Sequence, residues 1–180
     1  MKNILIVVDM QNDFIDGTLG TKEAQEIVDR AADKIRRFEG EIYGTLDTHQ
    51  KDYLTTQEGK KLPVSHCICG EEGWALDPEI MEALAKTQGR VHMFCRKGAF
   101  GSIELAEQIK EDFAGEDLEI QLIGLCTDIC VISNAMILKA AFPEARLIVD
   151  ALCCAGVTKE SHDRALEAMK ACQIEIMESN

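Results

Sequence analysis

The sequence predicts an α/β domain built on a parallel sheet covered by helices on both faces. Apolar runs of strand length alternate with amphipathic stretches along the chain, and the runs are nearly continuous, as strands buried on both faces are. No linker, repeat or low-complexity segment interrupts them, so residues 1–180 are expected to form a single domain. The first strand is Ile4-Leu5-Ile6-Val7-Val8, and a helical pattern follows over 21–38. Strands are expected next at 41–46 and 90–94, with a helix at 78–86 between them. The stretch 48–74 has weak periodicity and exceeds an ordinary connection, which marks it as a site-building loop. A helix at 102–112, a strand at 118–123, a helix at 127–141, a strand at 145–149, a helix at 159–171 and a strand at 175–177 complete the pattern.

Composition narrows the function classes. A chain of 180 residues buries about 70% of the surface its unfolded form exposes, so eight cysteines are not needed as staples. Met1-Lys2-Asn3 runs directly into the first strand with no signal-peptide core, and the expected home is a reducing cytoplasm with mostly free thiols. No apolar run approaches the ~20 residues that span a bilayer, so no membrane partner is expected. The net charge of -13 opposes nucleic-acid binding. Cys67-x-Cys69 and Cys153-Cys154 lack a second ligand knuckle, which disfavours a structural zinc site.

Parallel sheets place ligands at the carboxyl ends of their strands. The polar residues found there are Asp9, then Asp47 and His49, then Lys97, then Cys130: an acid, a metal-type pair, a base and a thiol. With Thr127 as N-cap, Cys130 falls in a helix's first turn, where unpaired amides and the helix dipole are expected to depress its thiol pKa. A free cysteine is as often a small buried hydrophobe, and the convergence of four strand ends is what favours chemistry. Asp47 and His49 lie two apart in an extended segment and so face one cation. His66, at the far end of the long loop, can close back as a third ligand. Mixed nitrogen and oxygen ligation suits zinc, iron or manganese without choosing among them. His92 and His162 have no ligand-spaced partner and read as structural or surface residues.

Four ordered motifs, Val8-Asp9-Met10-Gln11-Asn12-Asp13-Phe14, Asp47-Thr48-His49, Lys97-Gly98-Ala99-Phe100 and Gly124-Leu125-Cys126-Thr127-Asp128-Ile129-Cys130-Val131, resemble those of the isochorismatase-like cysteine hydrolases. Within that family they are closest to the nicotinamidase/pyrazinamidase group. The resemblance implies a doubly wound three-layer α/β/α fold with a mostly parallel six-stranded sheet, and a triad of Asp9, Lys97 and Cys130. It also implies an oxyanion hole from the Cys126 and Cys130 amides, and a cis peptide between Leu125 and Cys126. Asp9 would exchange the thiol and leaving-group protons, Lys97 would hold both partners charged, and Cys130 would attack a carboxamide to form a thioester.

Related nicotinamidases draw an extra ligand from the long loop, which makes Glu58 a candidate beside Asp47, His49 and His66; Asp52 competes with it. The divalent metal would position a pyridine ring between walls supplied by Phe14, Leu19 and Phe100. An aromatic often precedes the ligand histidine by three residues in this group. Here Pro63 stands there, with Trp74 as a substitute to be tested. The implied activity is conversion of nicotinamide to nicotinate and ammonia in NAD salvage, by a homo-oligomer acting on a small carboxamide. Hydrolysis of another amide or carbamoyl compound, vinyl-ether cleavage of the isochorismatase type, and an inactive interaction module are the alternatives. Cys130 and the intact triad disfavour the last two.

Overall fold

In the computed structural model, which describes residues 1–178, six strands form one sheet in the order β3-β2-β1-β4-β5-β6 with every pairing parallel. The strands are β1 (Lys2–Val8), β2 (Glu41–Asp47), β3 (Val91–Lys97), β4 (Leu118–Leu125), β5 (Arg146–Ala155) and β6 (Glu175–Met177). Between them run α1 (Asn12–Ile15), α2 (Lys22–Arg37), α3 (Gln57–Lys61), α4 (Pro78–Ala85), α5 (Ile103–Asp112), α6 (Ile132–Ala141) and α7 (Lys159–Ala171).

The continuous apolar reading of β1 has a direct structural cause. Ile4, Ile6 and Val8 point into a core shared with Leu105 and Ile109 of α5, Ala135 and Leu138 of α6, and Leu166 and Met169 of α7. Leu5 and Val7 point the other way, into a core with Ala24, Ile27, Ala31 and Ile35 of α2 and Ile80 and Ala83 of α4. A strand buried on both faces therefore has no polar alternation to show. Helix starts follow side-chain capping: Thr21, Asp77 and Ser102 each accept a backbone N–H at the head of α2, α4 and α5.

The sheet is wound outward in both directions from β1 and β4, which makes the crevice beyond their carboxyl ends the ligand position in such folds. Gly124 lets the two ends meet. Its φ is 119°, and a Cβ there would stand 2.0 Å from the Val8 carbonyl oxygen. Two strands, β3 and β5, run at least three residues further than the sequence pattern indicates. Polar Arg96 and Lys97 still pair with β2, which makes Lys97 the last residue of β3. β5 continues past Val149 because three extra residues loop out between the pairs Leu122–Val149 and Gly124–Cys154.

Candidate active site

Asp9 follows β1 with φ 46°, in the left-handed region, and is fully buried. Aspartate tolerates that conformation better than most residues. It turns the carboxylate toward β2, where the Thr45 hydroxyl donates to Asp9 Oδ1 at 2.7 Å. Lys97 Nζ lies 2.6 Å from Asp9 Oδ2, 3.3 Å from Asp47 Oδ1 and 3.4 Å from Cys130 Sγ. The contact to Oδ2 is a buried ion pair. Asp9, Lys97 and Cys130, drawn from three strand ends, thus meet as buried residues.

The electrostatics depart from the expectation of a thiol acidified by a helix terminus. Burial pushes the Cys130 thiol well above its ordinary range and Asp9 adds to this, while Lys97 pulls the other way. Burial likewise raises the Asp9 carboxyl against the pull of Lys97. Burial alone would discharge Lys97, but Asp9, Cys130 and Asp47 outweigh it and hold the ammonium charged. One cation already faces two carboxylates here, so a thiolate would be a third anion. The resting thiol keeps its proton beside a carboxylate positioned to take it.

The turn carrying Cys130 also differs from expectation. The segment Thr127–Val131 is a π-helical turn that starts from Cys126, whose carbonyl accepts the amides of Ile129 and Val131 at 3.1 and 3.0 Å. Cys126 rather than Thr127 is the N-cap residue, and no side chain caps the turn. Thr127 is buried, with its hydroxyl 2.8 Å from Nδ1 of His162, too committed to that contact to cap. The peptide between Leu125 and Cys126 is cis. Asn134 fastens the turn to the segment after β3: its amide nitrogen donates to the Cys130 carbonyl at 2.8 Å and its oxygen accepts from the Ser102 amide at 3.0 Å.

Beside the triad, Asp47, His49 and His66 are buried with their ligand atoms within 4.8 Å of one another. Asp47 Oδ2 is 3.0 Å from His49 Nε2 and 3.3 Å from His66 Nε2. His66 Nδ1 is 2.8 Å from the Val64 carbonyl, a bond that fixes its proton there and leaves Nε2 free to coordinate. Burial would raise the Asp47 carboxyl, yet the hydrogen bonds to both imidazoles and the charge of Lys97 hold it well below the usual carboxylate range. Two imidazole nitrogens and an ionised carboxylate around one point are a donor set suited to a divalent transition metal. Glu58 Oε1 stands 3.7 Å from His49 Nε2 and 3.8 Å from His66 Nε2, at the outer edge of the cluster. Asp52 stays with the exposed turn preceding Tyr53, so Glu58 is the carboxylate of this loop that faces the histidines.

Three supporting residues escape sequence reasoning. Buried Gln11 accepts from the Asp47 amide at 2.7 Å and donates to its carbonyl at 2.9 Å, fixing the carboxylate's backbone. Asp13 accepts from the Cys67 amide at 2.7 Å and so anchors His66. Tyr53 packs its ring 4.6 Å from His49 and 4.9 Å from His66. The partners of Gln11 and Asp13 lie many residues away along the chain, and the Asp-x-Gln-Asn-Asp motif around them was the available signal.

A cavity of about 210 Å³ opens onto Cys130 and the cluster, lined by Phe14, Leu19 and Phe100 and also by Leu62, Ile129 and Val157. Trp74 does not line it: its indole N–H donates to Thr48 at 2.9 Å and its ring lies under the Arg96 guanidinium. Tyr53 does not line it either, and the aromatic walls of the cavity are Phe14 and Phe100. His92 stacks on Tyr43, away from the cluster.

A family model described as the isochorismatase domain matches residues 3–180. A Bacillus subtilis (strain 168) protein described as the uncharacterized isochorismatase family protein PncA is 28% identical over 176 residues, covering 92% of this chain and 93% of the relative. Among solved structures, the nicotinamidase/pyrazinamidase PncA from Bacillus subtilis superposes with a TM-score of 0.84 at 25% identity, over 99% of this chain and 100% of that one. The pyrazinamidase of Pyrococcus horikoshii in complex with zinc shares the fold with a TM-score of 0.77 at 23% identity, over 99% and 100% of the two chains. The chain therefore belongs to the isochorismatase family of hydrolases.

Proposed function

We propose that this protein hydrolyses nicotinamide to nicotinate and ammonia through a thioester on Cys130, the entry to NAD salvage. The observation that carries this reading is Lys97 Nζ placed between Asp9 Oδ2 at 2.6 Å and Cys130 Sγ at 3.4 Å, with Cys130 on the wall of an apolar cavity that Asp47 and His66 also line. Similarity to a nicotinamidase/pyrazinamidase over the whole chain supports it.

Asp9 takes the thiol proton as sulfur attacks the carboxamide carbon, and returns a proton to the nitrogen as ammonia leaves. Asp9 then draws a proton from the water that cleaves the thioester, releasing nicotinate and restoring the thiol. Lys97 keeps its charge throughout and stabilises whichever partner is the anion. The backbone amides of Cys126 and Cys130 receive the developing oxyanion. Phe14, Leu19 and Phe100 hold the ring in register with the sulfur and exclude water.

The cluster fits a divalent zinc, iron or manganese ion held by Asp47, His49 and His66, with Glu58 as an outer ligand. Such an ion supplies a Lewis acid for a heteroaromatic nitrogen. A homo-oligomer in the cytoplasm, acting on a small carboxamide with no nucleic-acid or membrane partner, completes the proposal. Among the described residues no helix is long and apolar enough to cross a membrane.

Ammonia release from nicotinamide and pyrazinamide tests the reading. Wild type is expected to release it and Cys130→Ala to release none. Activity confined to carbamoyl compounds would replace the proposed substrate.

A further inference from the structure

We propose that His162 is a positioning residue for the turn bearing Cys130: through Thr127 it holds the backbone that presents the Cys126 and Cys130 amides to the cavity. The proposal rests on the Cys130 reading above and adds a residue of α7 to it.

The turn leaves β4 with no side-chain cap of its own, so its fixed shape depends on outside contacts. Besides Asn134, which holds the Cys130 carbonyl, two of the turn's own side chains supply them, and both reach the segment from Gly156 to His162 that joins β5 to α7. The buried Thr127 hydroxyl is 2.8 Å from His162 Nδ1. Asp128 Oδ1 accepts from the Val157 amide at 3.1 Å. Gly156 lies between these grips, where a Cβ would stand 2.9 Å from His162 Cβ and 3.0 Å from Asp128 Oδ1. Val157 also walls the cavity. The same short segment thus clamps the turn from behind and lines the site in front.

Unlike Thr127, His162 reaches water. It is half-buried and lines a groove of about 460 Å³ that Glu23, Glu26 and Arg30 of α2 face from the other side. Burial holds its imidazole below the ordinary 6.5; Asp163 and Asp128 oppose this and Lys159 reinforces it. With the ring neutral and its proton on Nε2, Nδ1 accepts the Thr127 hydroxyl. Protonating Nδ1 makes it a donor and forces that fully buried hydroxyl to find another acceptor. The clamp therefore loosens in acid.

The test measures kcat and KM for nicotinamide, and the rate of Cys130 alkylation by iodoacetamide, from about pH 5 to 8. His162→Leu is expected to lower kcat roughly 10- to 100-fold with KM little changed. His162→Asn, whose amide replaces Nδ1 without titrating, restores most of kcat, and its rate relative to wild type rises as the pH falls below about 6.5. Thr127→Val matches His162→Leu, and the double variant loses no more than either single one. Wild-type kcat and alkylation profile in His162→Leu, or additive losses in the double variant, would overturn the proposal. Should His162→Leu fail to fold, His162→Asn and Thr127→Val carry the same test. If wild type does not turn over nicotinamide, the substrate reading fails, and the alkylation profiles still decide the role of His162.

Discussion

Gln11 grips the backbone of Asp47 from both ends of its side-chain amide, accepting its N–H at 2.7 Å and donating to its C=O at 2.9 Å. The contact joins the residue two past Asp9 to the last residue of β2, so one side chain registers the triad against the metal-type cluster. Gln11→Leu leaves both buried backbone groups unpaired, and is expected to cost about 2–3 kcal/mol of stability. It should also weaken transition-metal affinity roughly 10- to 100-fold. Urea melts and competition with a chelator measure the two effects; an unchanged metal affinity would confine Gln11 to a structural role.

Lys97 is the cation shared by Asp9, Asp47 and Cys130. Lys97→Met strands two buried carboxylates and is expected to destabilise the fold by about 3–5 kcal/mol while abolishing turnover. With Asp9→Asn added, the catalytic losses should not add, because both residues serve one proton transfer. Additive losses in single-turnover rates would mean they act separately.

Asp9 offers a pH test whose sign follows from burial. Its folded pKa is raised above the ordinary 3.8, so the folded state holds the proton more tightly than the unfolded one. Its favourable contribution is complete below that value and is lost as the pH rises through the folded pKa. Asp9→Asn should therefore gain stability relative to wild type as the pH rises above about 4, even as turnover is lost. Removing that charge should also lower the pH at which Cys130 becomes alkylated, since Asp9 pushes the thiol up. Parallel stability–pH curves for the two proteins would contradict the account.

Much of this site was legible from the strand-end rule alone. Asp9, Asp47 and Cys130 stand out because each breaks or follows an apolar run, and the structure brings them together with Lys97. What was hidden depends on three dimensions. Gln11 and Asn134 look like ordinary polar residues until the strands and helices that meet them are in place. Thr127 has the residue type and position of an N-cap, but local chemistry could not reveal that His162, 35 residues on, competes for its hydroxyl. The direction of the Cys130 shift was misread for the same reason: a helix terminus is visible in sequence, and the burial that outweighs it is not.

Phe100, 48% exposed at the cavity mouth, is the wall residue closest to solvent. Phe100→Ala should raise KM for nicotinamide by about 3- to 10-fold, the equivalent of roughly 1 kcal/mol of lost apolar contact, with kcat nearly preserved. A fall in kcat at constant KM would instead place the ring's influence on the reacting atoms.

The central claim is covalent catalysis by Cys130, and acid-quenching the enzyme during nicotinamide turnover followed by peptide mass analysis addresses it most directly. The account predicts a nicotinoyl adduct on the peptide containing Cys130, absent from Cys130→Ala, which also releases no ammonia. Ammonia release by Cys130→Ala at a rate near wild type, with no adduct on either protein, would contradict it.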